Sequence, residues 1–360
     1  MNDPGQPTKV VSDFESTLDK ADAKVASFDT AKPGAIQILR GILHSNATVI
    51  PVAVLILSIL IFGVAAGGRF FTPGNLSLVL QQVTVTGIIA IAQTIIILTA
   101  GIDLSVGAIM VLASIVMGKL AVQTGVPEYL AVVIGLVAGG AMGYFNGMLV
   151  TYMRLPPFIV TLGTLNIFSA LKLWYSHSES IRAVDVEKTA PLLLWFGNTF
   201  EILGASITYG GIALVLLAFL TWYALNWTAW GRYVHAVGDD PDAAMLAGIQ
   251  TDKTLRSVYM VAGVICAFGA WVLIGRVGSV TPLAGETANL DSITAVVIGG
   301  TSLFGGRGSI VGSVLGALIV GVFRNGLSLA GVDVLWQDFT VGILIIVAVA
   351  IDQWLRRSSK

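Results

Sequence analysis

The residues best able to do chemistry in this chain are two aspartates that interrupt apolar runs. Asp103 lies in LTAGIDLSVGAIM (98–110), flanked by Gly101 and Ser105, and Asp291 lies in ANLDSITAVVIGG (288–300), preceded by Asn289 and followed by Ser292. Carboxylate, amide and hydroxyl groups in such a setting can satisfy the free N–H groups of a helix start, or offer hydrogen bonds to a polar solute beside a broken helix. Gly101 leaves helical geometry at little cost, so 98–110 reads as helix, glycine turn and capped helix. Sequence alone leaves two readings of that break open: a tight turn at a membrane surface, or a dip into the bilayer beside a wet pathway. Gln82, Thr86 and Gln93 are spaced to share one helix face, and Asn146 and Asn166 are candidates to join them. Such groups should face protein or water rather than lipid, as interhelical hydrogen bonds or as contacts with a solute.

Other chemistries find no support. His44, His177 and His235 are scattered, and no His, Cys or acid cluster has metal-ligand spacing, so no metal is expected. No G-x-x-x-x-G-K-[ST] occurs; the glycine-rich GGTSLFGGRGS (299–309) joins two apolar segments and reads as a tight turn. No nucleophile and base stand in a recognisable arrangement. Neither catalysis nor a cofactor is expected. Cys266, the single cysteine, sits in an apolar run and reads as a packing residue, and a net charge of −1 gives no field for nucleic acid.

One polar stretch has mechanical promise. In DPDAAMLAGI (240–249), Pro241 suits a first helical turn, Asp239, Asp240 and Asp242 favour its N-terminus, and Gly248 can end it. The product is a short helix with a small face at Ala243 and Ala244 that a partner's groove could approach closely. A surface linker helix is the plainer reading.

The elements that must position these residues are membrane helices. The chain has 360 residues, 55% hydrophobic and 11% charged, with a mean hydropathy of +0.85; a soluble domain carries about 25% charged residues. Taking about 20 residues per crossing, ten spans are expected, at 47–66, 78–100, 104–122, 129–152, 157–175, 207–226, 256–275, 291–304, 309–328 and 333–352. The first is long and remote enough from Met1 to be a retained anchor rather than a cleaved signal. Ten spans put both termini on one side, together with 13 of the 20 Lys and Arg; the positive-inside rule makes that side cytoplasmic. The expected organisation is a polar cytoplasmic tail over 1–45, a transmembrane unit over 46–354 and a short cytoplasmic tail over 355–360. An outer loop at 177–206 and an inner loop at 227–254 are long enough to carry function. Stripes at Gly139, Gly143 and Gly147, and at Gly312 and Gly316, should let helices approach closely. Asp103 and Asp291 open the third and eighth spans from opposite sides, as two five-helix halves of inverted orientation would require.

The chain resembles the permeases of ribose-type ABC sugar importers. The resemblance rests on FTPGNLSLVLQQ (71–82), TAGIDLSVGAIM (99–110), PPFIVTLGTL (156–165), GRYVHAVGDDPDAAMLAGI (231–249) and LDSITAVVIGGTSLFGGRGSIVGSVLGA (290–317). It implies an all-α polytopic permease of monosaccharides such as fructose, ribose or mannose, working by alternating access in a bacterial inner membrane. It also implies partners: a second permease copy, a cytoplasmic ABC ATP-binding subunit, a periplasmic sugar-binding protein and surrounding lipid. Asp242, Ala243, Ala244 and Gly248 would form the segment that couples to the ATPase, whose acid-Ala-Ala, three residues, Gly spacing this chain reproduces. Gly101, Asp103 and Ser105 would belong to the family's signature break. Relatives often carry Glu where this chain has Asn289, which weakens a role for an acid at that position in binding sugar. The competing expectations are an ion-coupled secondary transporter, using Asp103, Glu286 and Asp291, and a non-transporting membrane scaffold.

Overall fold

A computed structural model of the chain describes residues 48–202, 204–285 and 287–357. The N-terminal tail, Glu286 and residues 358–360 of the C-terminal tail lie outside the described residues. In chain order the helices are α1 (Val49–Ala65), α2 (Pro73–Ile97), α3 (Val106–Gly118, continued by a π turn Lys119–Gln123), α4 (Glu128–Tyr152) and α5 (Pro157–Ser176). Then come α6 (Ala183–Thr189), a 3-10 turn (Pro191–Gly197) and an antiparallel hairpin of β1 (Thr199–Ile202) and β2 (Ala205–Thr208). The chain ends with α7 (Tyr209–Trp227), α8 (Ala229–Asp239), α9 (Pro241–Leu246), α10 (Thr251–Val277), α11 (Ala288–Ile298), α12 (Ile310–Leu329) and α13 (Val334–Arg357).

Among the described residues, seven helices are long and apolar enough to cross a bilayer, and shorter apolar helices occupy 49–65, 288–298 and 334–344. Each of the ten expected spans falls on one of these. Boundaries moved where caps decide them. The second span starts at Pro73, not 78, because Thr72 accepts the Asn75 N–H and Pro73 takes the first helical position. The eighth shrinks to 11 residues because Gly299 and Gly300 turn the chain.

α2 is the buried axis: 78% of its most apolar window is inside the protein, against 22% for α5 and for α7. Glycines set the tightest contacts. A methyl group at Gly143 would collide with the Tyr259 carbonyl of α10, and one at Gly139 would lie 2.6 Å from the Gly263 oxygen. Methyl groups at Gly312 and Gly316 would run into the carbonyls of Gly299 and Ala295. Dispersion and close backbone approach hold such helices together where lipid supplies no hydrophobic drive. Cys266 is buried in this packing.

α7, roughly 28 Å long at 1.5 Å per residue, separates two faces. On the hairpin face, residues 177–202 and 204–206 lie against the helices: Glu128 Oε2 accepts the Leu192 N–H at 2.7 Å, Trp271 Nε1 donates to the Leu192 carbonyl at 3.0 Å, and Ile181 bridges Val280. The opposite face carries α8 and α9.

Candidate functional site

α2 ends in a Schellman turn: Gly101 N–H donates to the Ile96 carbonyl at 3.2 Å and Ala100 N–H to that of Ile97 at 2.9 Å. The left-handed residue is Ala100, with φ 58°, and not Gly101 as the sequence suggested. Gly101 is needed for space, because a Cβ there would sit 2.9 Å from the Tyr259 hydroxyl. The chain then doubles back between helices. Gln93, with its amide turned to match its partners, bonds both backbone groups of Asp103 at 3.1 and 3.3 Å, and Thr161 Oγ1 donates to the Ile102 carbonyl at 3.0 Å. Asp103 Oδ1 accepts the N–H and the hydroxyl of Ser105, each at 2.6 Å. Asn146 Nδ2 reaches Asp103 Oδ2 at 3.3 Å and Ser105 Oγ at 2.8 Å.

These partners give the depth of the break. Gln93 stands four residues inside the end of α2, Asn146 six inside that of α4 and Tyr259 eight inside the start of α10, or roughly 6 to 12 Å from the helix ends. The segment therefore starts at an exposed Ala100 and carries Asp103 and Ser105 back inside the bundle. Asp103 is 1% exposed, and no Lys or Arg among the described residues forms an ion pair with it. Ser105 occupies the N-cap position of α3 without a capping bond; its hydroxyl serves Asp103 instead. Asn146 Oδ1 and the Tyr259 hydroxyl are buried without partners among the described residues.

The second aspartate is held differently. Asp291 Oδ1 pairs with Arg324 Nη2 at 2.7 Å and its Oδ2 accepts the Thr287 hydroxyl at 3.0 Å, while Arg324 Nη1 reaches Asp338 at 3.1 Å. Asn289 Oδ1 accepts the N–H of Gly107, in the first turn of α3. The starts of α3 and α11 thus meet inside the bundle, and α11 covers only roughly 16 Å.

Two cavities flank the start of α11 and share Gly285. The larger, about 700 Å³, is lined by Asn75, Gln82 and Thr86 of α2, Arg276 of α10, Asp291 of α11, Arg324 and Asn325 of α12, and Gln337 of α13. From Asn75 to Thr86 it follows α2 for roughly 16 Å. Asn75 and Asn325 exchange amide hydrogen bonds at 3.0 and 2.8 Å on its wall. The smaller, about 240 Å³, is lined by Gly107, Ser169, Lys172 and Asn289 among others.

The sequence-selected residues fall into three groups. Gln82, Thr86 and Asp291 line the large cavity and Asn289 the small one. Gln93, Gly101, Asp103, Ser105 and Asn146 form the buried knot around the break. Asn166 is exposed, bonds the Leu162 carbonyl at 2.9 Å and lines neither cavity. Sequence reasoning passed over Arg276 and Arg324 as flanking charges, although a cation well inside an apolar run such as IVGSVLGALIVGVFRNGLSL was the available signal.

On the opposite face, Asp240 caps α9, its Oδ1 accepting the N–H groups of Asp242 and Ala243 at 2.9 and 3.0 Å. Gly248, at φ 86°, closes it: Ile249 N–H donates to the Ala244 carbonyl and Gly248 N–H to that of Met245, both at 3.0 Å. Ala244 is buried, whereas Asp242 and Ala243 are exposed and Leu246 is 88% exposed. A short helix pinned at both ends thus presents a small and apolar surface.

The profile of the family described as branched-chain amino acid transport system / permease component matches residues 75–349. The chain is 53% identical over 356 residues to the fructose import permease protein FrcC of Rhizobium meliloti, covering 99% of this chain and 98% of that protein. It is 38% identical to the ribose import permease protein RbsC of Bacillus subtilis, covering 79% of this chain and 86% of that one. The D-allose transport system permease protein AlsC of Escherichia coli K12 is 35% identical, over 84% of this chain and 91% of its own length.

Proposed function

The chain belongs to the branched-chain amino acid transport system / permease component family, and from that premise we propose that it is the multi-pass inner-membrane subunit of an ATP-driven monosaccharide importer. The observation that carries the reading is the 53% identity, over 99% of the chain, to a fructose import permease. Ribose and allose permeases among the relatives support a sugar rather than an amino acid as cargo. Fructose is the sugar we assign. The chain is a permease and not an enzyme; ATP hydrolysis belongs to a separate cytoplasmic subunit, and a periplasmic binding protein delivers the sugar.

In this reading both termini are cytoplasmic, and the hairpin face, with residues 177–206, meets the loaded binding protein. The large cavity receives the sugar. Gln82 and Thr86 on its wall can bond a polyol, and the charged Arg276 and the Arg324–Asp291 pair can bond hydroxyls as well, whereas the Asn75 and Gln337 amides are already engaged within the protein. The ATPase grips α9 through the exposed Asp242, Ala243 and Gly248, and nucleotide-driven closure moves it; Ala244, expected from the sequence to share that surface, is instead turned into the protein and anchors the helix. That motion opens the path inward by alternating access. The exposed faces of α5 and α7 meet a second copy of the permease and lipid.

The test is uptake of labelled D-fructose into sealed vesicles holding this chain with its ATPase. Uptake that requires both ATP and the binding protein is expected. Uptake by the chain alone on a proton or sodium gradient would overturn the assignment.

A further inference from the structure

On the face that carries α8 and α9, three stretches of backbone touch without side chains between them. A methyl group at Gly238, in the last turn of α8, would collide with the Leu98 carbonyl at the end of α2 and lie 2.8 Å from the Gly306 nitrogen. Gly306 N–H donates to the same Leu98 carbonyl at 3.0 Å, and its own carbonyl lies 3.2 Å from His235 Nδ1. A methyl group at Gly305 would come within 2.9 Å of the Ala100 nitrogen. The end of α8, the end of α2 and the glycine turn between α11 and α12 are locked together there.

Only Asp240 separates α8 from α9. On its other side α9 leads through Gly248 to α10, and there a cavity of about 360 Å³, lined by Trp230, Tyr233 and Lys253, separates the elements. That cavity lies between α8 and α10, bridged by the Trp230 Nε1 bond to Ser257 Oγ at 2.8 Å, so the backbone junction at Gly238 is the close-packed route out of α9 and the α10 side is held by a side-chain bond beside a gap. Close-packed backbone transmits displacement, whereas a gap absorbs it.

We propose that the contact of Gly238 with Leu98 and Gly306 is the transmission point through which movement of α9 reaches α2 and α11, the helices that carry Gln82, Thr86 and Asp291 on the cavity wall. This rests on the ATP-driven reading above. Gly238 and Gly306 are positioning residues: they touch no cargo, and they make the short helix and the cavity walls move as one body.

Gly238→Ala tests it, because alanine favours the helix in which it sits and so damages only the contact. With the ATPase and binding protein in vesicles, the variant complex should assemble and hydrolyse ATP, yet D-fructose uptake per ATP should fall about tenfold. Uptake per ATP within twofold of the unaltered complex would overturn the junction. An unaltered complex without ATP-driven uptake would instead sink the reading on which the junction rests. Should Gly238→Ala fail to assemble, spin labels at exposed Asp239 and Arg307 decide. Their separation should stay fixed between nucleotide-free and ATP-bound complexes, and a change of about 5 Å, one helical turn, would refute the proposal.

Discussion

The side-chain oxygen of Asn289 accepts the backbone N–H of Gly107, joining the first turns of α11 and α3 across 182 positions of sequence. It acts as a helix cap supplied from another helix. Asn289→Leu should cost about 1 kcal/mol and lower the melting temperature of the purified chain by about 2–4 °C. Asn289→Asp, which keeps the acceptor and adds charge at a helix start, should melt at or above the unaltered protein. Equal melting of the Leu variant would remove the bond from the account.

The α4–α10 contact makes a matched pair of alanine substitutions informative. Gly143→Ala drives a methyl group into the Tyr259 carbonyl, whereas nothing lies within 4 Å of a Cβ at Gly163. The first should cost about 2 kcal/mol or more through overpacking and the second should be neutral or stabilising. Yield and melting temperature of detergent-purified protein report both.

For Asp103 the knot predicts a structural penalty. Asp103→Ala strands the Ser105 N–H and hydroxyl, at about 1–3 kcal/mol for each buried donor left unpaired, and leaves the Asn146 amide only its bond to Ser105 Oγ. Expression and uptake should therefore fall together. Asp103→Asn retains an acceptor and should recover most of the expression. An alanine variant that expresses normally and has lost only uptake would put Asp103 in the pathway instead.

The Arg324–Asp291 pair calls for a double-mutant cycle. Its side chains are 25% and 10% exposed, so Arg324→Gln should cost about 1–3 kcal/mol, less than a fully buried pair. Adding Asp291→Asn should restore part of that loss, since the stranded carboxylate disappears. No recovery would mean that the pair contributes little.

On α9, Leu246→Glu alters a side chain that touches little of its own chain and should change stability by no more than about 0.5 kcal/mol. Pull-down of the ATPase with the permease should nevertheless fail, and ATP-driven uptake with it. Intact pull-down would remove Leu246 from the coupling surface.

Much of this was legible in the sequence because the bilayer enforces it. Apolar length located ten apolar helices, seven of them long enough to cross a bilayer among the described residues, the Asp-Pro-Asp run and Gly248 announced α9, and the glycine stripes marked the faces of α4 and α12 that other helices approach, without naming α10 and α11 as the partners. What stayed hidden depends on partners far away in sequence. Gln93 repeats the spacing of Gln82 and Thr86, yet it turns to Asp103 because α2 is enclosed on every side at that level. Ala100 takes the left-handed position beside an available glycine because Gly101 must make room for Tyr259. Gly238 looked like an ordinary helical residue until the Leu98 carbonyl lay against it.

The shortness of α11 has an electrical consequence. Water entering the large cavity would place more of a membrane voltage over α11, roughly 16 Å long, and the buried helix stretches packed beside it than a full hydrocarbon thickness of about 30 Å would. A leak-tight seal at that level would then rest on side-chain packing and not on apolar length.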